Sequence, residues 1–295
     1  MERFEDRVAV VTGGASGIGF GMAQAFAAEG MKLVIADVER AALDTAVEEL
    51  RGAGATAIGV ECDVSQQAAV DALAEQTLDE YGAAHVLCNN AGVAGSAPGG
   101  IWEAPLEEWD WVMGVNVMGV VHGIRAFVPI LLEQEEGHVV NTASMAGLMP
   151  GGGIYGVTKH ACRTISEALW NNLQMRGPHV GVSVLCPGWV ATKIASSERN
   201  RPETPRPQAE VPPEAEAMRQ VVEGLISSGM DPVEVGRIVA AAIKERRFYV
   251  LPHPWESMVE TFMRNIIEGR DPVGEPPPGA AEAFAALLPQ SDPSS

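Results

Sequence analysis

Residues 7–37, RVAVVTGGASGIGFGMAQAFAAEGMKLVIAD, constrain the fold more than any other part of the chain. An apolar run at 8–11 leads into Gly13, Gly17 and Gly19, a helical pattern follows, and a second apolar run, KLVIA, closes on Asp37. Glycines at such places let the backbone turn sharply and approach a bound group closely. The start of the helix then offers unpaired N–H groups and the positive end of its dipole to a pyrophosphate. A glycine triplet alone is a plain turn. Set between a strand and a helix, with an acid ending the next strand, it predicts a dinucleotide-binding unit with Gly13, Ser16, Gly17, Ile18 and Gly19 against the cofactor. The Asp37 carboxylate suits a ribose diol and repels a 2'-phosphate, and no Arg or Lys stands in the glycine turn or next to Asp37. NAD is therefore expected over NADP, with Arg40 the one nearby cation that weakens the expectation.

The rest of the chain continues the strand and helix alternation. ERAALDTAVEELRGAG reads as a helix and ATAIGVECDV as a third strand ending at Asp63, which is placed either to reach an adenine edge or to cap the next helix, a job Ser65 also suits. HVLCNNAG supplies a fourth strand with Asn89, Asn90 and Gly92 at its end over the cofactor. LEEWDWVMGVNVMGVVHGIRAFVPILLEQ is a long helical pattern interrupted by Gly114, Gly119 and Gly123, with Asn116 inside it. HVVNTAS reads as a buried strand that presents Ser144 at its carboxyl end, where open α/β sheets bind ligands. In the helix that follows, Tyr155 and Lys159 are four apart and share a face. A tyrosine is a poor base at neutral pH, but a neighbouring cation favours the phenolate, so the pair makes a credible proton shuttle; a solvated helix face is the plainer alternative. VGVSVLCPGWVATK adds a sixth strand and a turn, where the backbone of Val190 and the Thr192 side chain are suited to hold an amide.

Residues 193–230 change character, being rich in Pro, Glu and Arg, and are expected to form a lid. A helix, a last strand in FYVLPHP and one more amphipathic helix follow. The expected organisation is one catalytic domain over 1–270, with a loosely held Pro- and Ala-rich tail at 271–295.

Composition narrows the function. Hydrophobic residues make up 46% and glycines number 32, enough apolar surface for a large sheet with many tight turns. No apolar run is read as approaching the ~20 residues of a membrane span, and the start MERFEDRVAVV lacks a signal-peptide pattern, so a cytoplasmic protein is expected. The four cysteines, Cys62, Cys88, Cys162 and Cys186, show neither metal-site nor disulfide spacing and read as reduced core thiols. A net charge of -19 disfavours nucleic acid and anionic membranes as partners.

TGGASGIG (12–19), Asp37, CDV (62–64), NNAG (89–92), Asn116, Ser144, YGVTK (155–159) and PGWVAT (187–192) stand in the order found in the classical short-chain dehydrogenases/reductases, which the chain closely resembles over about residues 5–195. The resemblance implies an α/β doubly wound Rossmann fold with a seven-stranded parallel sheet and helices on both faces. It implies NAD contacts at Asp63, Val64, Asn90, Gly92, Val190 and Thr192. It also implies a tetrad: Tyr155 as acid/base, Ser144 orienting the substrate oxygen, Lys159 binding the nicotinamide ribose and favouring the phenolate, and Asn116 holding a proton-relay water. Ser144 and Tyr155 are eleven residues apart, about two fewer than is common in the family, so the intervening GLMPGGG loop is short. In the family the two long helices at 106–132 and 154–176 pair across a twofold axis. Both are apolar on more than one stripe here, so a homodimer or homotetramer is expected.

The residues expected beside the tetrad, Met145, Leu148, Met149, Ile154, the segment after Gly92 and Trp189, are uncharged. The expected activity is therefore NAD-dependent oxidation of a bulky, apolar secondary alcohol or reduction of its ketone. Arg199, Arg201 and Arg206 of the lid are the cations able to reach inward and change that. The alternatives are an NADPH-dependent ketone reductase and a non-catalytic dinucleotide-binding sensor or scaffold; a complete tetrad is of no use to the latter.

Overall fold

The computed structural model describes residues 1, 3–95, 100–202, 213–273, 276 and 278–280. Seven strands, β1 (Val8–Thr12), β2 (Lys32–Asp37), β3 (Ala57–Glu61), β4 (Val86–Asn89), β5 (Gly137–Thr142), β6 (Val180–Leu185) and β7 (Tyr249–Val250), form one sheet in the order β3-β2-β1-β4-β5-β6-β7. Every pairing is parallel. The strands are near-continuous apolar runs because both faces of the sheet are covered. Ala9 and Val11 of β1 face a core made with α1 (Gly17–Ala28), α2 (Arg40–Gly52) and α8 (Pro232–Glu245). Val8 and Val10 face the opposite core, made with α3 (Gln67–Tyr81), α5 (Gly119–Leu132) and α6 (Gly153–Arg176). Strand order reverses between β1 and β4, and the carboxyl ends of these two strands open the crevice in which such sheets bind ligands.

The expected strand boundaries are trimmed: β3 stops at Glu61 and β5 at Thr142. Helix α4 (Leu106–Met113) runs through a π-helical turn, Gly114–Met118, directly into α5. The glycines therefore do not interrupt the pattern. Gly119 and Gly123 are points of close approach, where a Cβ would sit 2.8 Å from Val64 Cγ2 and 2.0 Å from Asn89 Oδ1. The joined helix, Leu106–Leu132, is 27 residues long and apolar enough to cross a membrane by length and composition, contrary to the expectation of no such run. Here Val112, Val117, Val120, Phe127 and Leu131 are buried in the protein core, the ordinary reason for such a composition in a packed helix.

After β6 come a 3-10 segment, Ile194–Asn200, and α7 (Pro213–Ser227), both within the stretch expected as a lid; residues 203–212, Arg206 among them, lie outside the described residues. Helix α9 (Glu256–Ile267) follows β7. Trp255 and Met258 pack beside Met145, Val184 and Cys186. The first residues of the expected tail are tied back, since the Val273 carbonyl accepts from Asn265 Nδ2 at 2.7 Å and Ala280 is fully buried. Residues 281–295 lie outside the described residues. All four cysteines are buried and unpaired, and burial pushes their thiols up, Cys62 to about 11 and Cys186 to about 12.

Candidate active site

A cavity of about 1270 Å³ runs along the carboxyl ends of the central strands. Of the expected cofactor contacts, Gly13, Ser16, Gly17, Ile18, Asp37, Asp63, Val64, Asn90, Gly92, Tyr155, Lys159, Val190 and Thr192 line it. Gly19 does not. It sits behind the turn, where a Cβ would lie 2.2 Å from Gly13 O and 2.6 Å from Asn90 Nδ2, so its part is to let α1 pack onto the loop. Gly13 itself has φ +61, and a Cβ there would meet Ala91 Cα at 2.8 Å. The loop is braced by Asn90, whose Nδ2 donates to the carbonyls of Thr12 at 3.0 Å and Gly13 at 3.3 Å. Asn89, expected over the cofactor, turns to the other side and donates to Asn141 Oδ1 at 2.8 Å, because neighbours on a strand point to opposite faces.

Two features test whether the cradle fits a dinucleotide. Ser16 precedes α1 without capping it through its side chain, and no acid stands in the first turn, so the helix amino end keeps its donors and its positive dipole for an anionic group. Asp37 is 9% exposed at the cavity wall. Burial pushes its carboxyl up, while N–H donors from Glu39 and Ala15, each at 3.1 Å, pull it back. One lone pair on each carboxylate oxygen is thus used, and the remaining ones suit a diol. Arg40 turns away to Asp44 at 3.0 Å. Asp63 accepts from Ser65 N at 2.9 Å, so one oxygen shapes the turn into α3 while the residue still lines the cavity; the helix cap is Gln66, neither Asp63 nor Ser65.

At the other end Ser144, Tyr155 and Lys159 line the same wall. Lys159 is 3% exposed, donates to Thr142 O at 2.9 Å, and holds Nζ 5.4 Å from the centre of the Tyr155 ring. Ser144 caps a 3-10 turn, Met145–Gly147; its Oγ accepts from Ala146 N at 3.1 Å and donates to Pro187 O at 3.4 Å. The short connection to Tyr155 is made by Gly151, Gly152 and Gly153, all at positive φ (+92, +76 and +54), a run only glycine adopts without strain. Asn116 lies next to the site but does not line the cavity. Its Oδ1 accepts from Val93 N at 2.8 Å, and its Nδ2 donates to Val93 O at 2.9 Å and Thr158 Oγ1 at 3.0 Å. Both amide hydrogens are committed, so the side chain braces the loop after β4 against α6 and has no hydrogen left to donate to a relay water.

A parallel bridge joins Val190 to Met230, with Met230 N donating to Trp189 O at 2.9 Å and Ala191 N to Met230 O at 3.0 Å. This pattern turns the N–H and C=O of Val190 away from Met230, as an amide-binding role requires.

Of the expected pocket residues, Met145, Met149 and Trp189 line the large cavity. Leu148 packs away from it with the core beneath Met145, and Ile154 packs on Val93 and Val112, lining instead a small adjoining cavity of about 180 Å³. The wall also includes Trp111, Val222, Ile226, Trp255 and Met258, which come from distant segments and carry no local motif. Among the described residues, two arginines that line the cavity form ion pairs on the lid side. Arg199 pairs with Glu39 at 2.8 Å, joined by Asn200 Nδ2 at 2.9 Å. Burial pushes the Glu39 carboxyl up, but these donors outweigh it and hold it below its ordinary value. Arg201 reaches inward, 6% exposed, paired with Glu108 and Glu198 and stacked 4.3 Å over Trp111. Glu108 and Trp111 are three apart on α4 and so share a face, the one sequence signal for that contact.

The short chain dehydrogenase family model matches residues 7–203. A solved short-chain dehydrogenase/reductase from Burkholderia phymatum, in complex with NAD, is 46% identical, covers 92% of this chain and 98% of its own, and superposes with a TM-score of 0.88. A CLA biosynthesis dehydrogenase/reductase of Lactiplantibacillus plantarum is 33% identical over 90% of this chain and 95% of its own length. A C alpha-dehydrogenase of Sphingobium sp. is 32% identical over 98% and 94%. With a parallel sheet in this order and this cavity at its switch point, the chain belongs to the short-chain dehydrogenase/reductase family of oxidoreductases.

Proposed function

We propose that the protein transfers a hydride between NAD and an uncharged secondary alcohol or its ketone with a bulky apolar body. The observation that carries the reading is the Tyr155 ring beside the buried Lys159 ammonium on one wall of a cavity whose other end is closed by the Asp37 carboxylate. When bound, NAD supplies the hydride chemistry, and the protein's residues handle binding, orientation and the proton. Tyr155 takes the proton from the alcohol oxygen as the hydride leaves, and returns it in the reverse direction. Lys159, with its second and third N–H groups, is suited to the nicotinamide ribose. Ser144 Oγ, held by Ala146 N, is presented to the substrate oxygen. Asn116 keeps Val93 and α6 in register beside them.

For the substrate, Met145, Met149, Trp111, Trp189, Val222, Ile226 and Met258 offer apolar contact, and flexible methionines accommodate varied shapes. Arg201 lines this cavity and is paired with two glutamates, so a carboxylate substrate has to compete with Glu108 and Glu198 for it. An NADPH-dependent reductase is disfavoured by Asp37, with Arg40 engaged elsewhere and Arg199 paired with Glu39. Initial rates at the NADH absorbance band, with cyclic and aryl secondary alcohols against hydroxy acids of similar size, test the substrate class. Apolar alcohols are expected to turn over best, and kcat/KM is expected to be higher with NAD than with NADP. Preference for hydroxy acids sinks the substrate class, and equal use of NADP sinks the cofactor reading.

A further inference from the structure

All four residues of the turn Pro187–Gly188–Trp189–Val190 line the cavity, between Ser144 and the expected nicotinamide contact at Val190. Pro187 O accepts from Met145 N at 2.9 Å and from Ser144 Oγ at 3.4 Å. From the far side of the chain, the segment after β7 brings His253 onto the turn. Gly188 N donates to His253 Nδ1 at 3.1 Å, and His253 Nε2 lies 2.9 Å from Trp189 O. These two partners decide the protonation state. An N–H can only be met by a bare ring nitrogen, so Nδ1 is the acceptor; a carbonyl can only be met by a donor, so Nε2 carries the hydrogen. The ring is therefore neutral in the Nε2–H form, and burial, which lowers its affinity for a proton, agrees. Trp255 closes the contact, with its ring centre 5.2 Å from that of His253 and 6.0 Å from that of Trp189. A Cβ on Gly188 would lie 2.5 Å from the Trp255 ring, so the turn is pressed directly onto this layer.

We infer that His253 is a positioning residue for cofactor and substrate: by clasping Gly188 N and Trp189 O with its two ring nitrogens, it sets the Val190 backbone for the nicotinamide amide and holds Trp189 in the pocket wall. The inference rests on the assignment of the Val190 end of the cavity to nicotinamide. It does not depend on which alcohol is the substrate.

The test separates positioning from general support of the fold. ADP-ribose carries the adenosine and pyrophosphate of NAD without the nicotinamide, so it ignores the Val190 end. By calorimetry on the full chain, His253→Leu is expected to weaken NAD by about tenfold, the scale of a lost buried hydrogen bond, while ADP-ribose changes by less than about twofold. His253→Asn, whose amide oxygen takes the Nδ1 position, is expected to recover part of the loss by accepting from Gly188 N. His253→Gln, which keeps only the donor to Trp189 O, is expected to weaken NAD more than His253→Asn does and to raise the KM for the alcohol less. Imidazole nitrogen NMR of the wild-type protein is expected to report the Nε2–H form at neutral pH. A cationic or Nδ1–H ring overturns the inference, as does a Leu variant that weakens NAD and ADP-ribose equally or neither. Should the Leu variant not fold, the same ratio in the Asn and Gln variants decides. A wild-type protein that binds ADP-ribose and NAD with the same affinity counts against the nicotinamide assignment itself, which the NMR result on His253 does not touch.

Discussion

Tyr155 and Lys159 are one helical turn apart, and the packing of α6 buries the ammonium while leaving the phenol on the cavity wall. Removing the phenolic oxygen removes a proton carrier and very little binding surface. Tyr155→Phe is therefore expected to lower kcat by about a hundredfold or more with NAD affinity nearly unchanged, while Lys159→Ala damages both. Steady-state rates beside cofactor titration check this; substantial turnover by the Phe protein removes Tyr155 from the acid/base role. A second residue-scale consequence concerns His138, fully buried on β5 with Nε2 2.8 Å from Ser183 Oγ, whose hydroxyl donates to Arg247 O. Burial pushes this imidazole down to about 3. The unfolded chain binds a proton near ~6.5 that the native ring refuses, so stability is full above that pH and falls as the pH drops towards 3, by up to ~1.4 kcal/mol per pH unit for this group. Melting temperature against pH is expected to fall less steeply in His138→Asn. His85 and His253, both also lowered by burial, add to the upper part of the same window.

Among elements, the 3-10 segment Ile194–Asn200 is attached both near the tetrad and near Asp37. Ser197 Oγ accepts from Ala94 N at 3.0 Å near the tetrad, and Arg199 and Asn200 reach Glu39, two residues past Asp37, at the adenosine end. A strap fastened at both ends of a cofactor-sized cavity is expected to slow escape from it. Glu39→Ala is expected to speed NADH release by a factor of about two to five, which is what a partly exposed ion pair of ~0.5–1 kcal/mol allows. Raised salt should speed the wild-type release in the same sense, since such pairs are screened. Stopped-flow fluorescence measures both, and a variant with an unchanged release rate shows that the strap does not limit escape.

For the whole molecule, α5 and α6 carry the expected pairing faces. Met118, Val157 and Trp170 are 42%, 42% and 40% exposed beside helices whose other sides are buried in the core. A second copy of the chain is expected to cover them, so light scattering at micromolar concentration should give at least twice the chain mass. A monomer there, with Trp170→Glu behaving identically, contradicts the expectation.

The glycine turn, Asp37 and the Tyr155–Lys159 pair were readable in the sequence because each is a short-range pattern: residues a few positions apart on one turn, strand end or helix face need no tertiary information to be placed together. Two residues of the same segments stand off the cavity for local reasons. Gly19 lies in the motif but serves packing, and Asn89 adjoins Asn90 but faces the opposite side of the sheet. The long helix holds no unbroken apolar run, since Asn116, His122 and Arg125 punctuate it, yet by length and composition it is apolar enough to cross a membrane. What only the tertiary structure decided comes from contacts between residues far apart in the chain. Glu39 meets Arg199, Glu108 meets Arg201, and His253 meets Gly188. Each is an ordinary polar residue in its own segment, and each gains its role when a parallel sheet brings the carboxyl ends of its strands, and the segments that follow them, to one edge of the molecule.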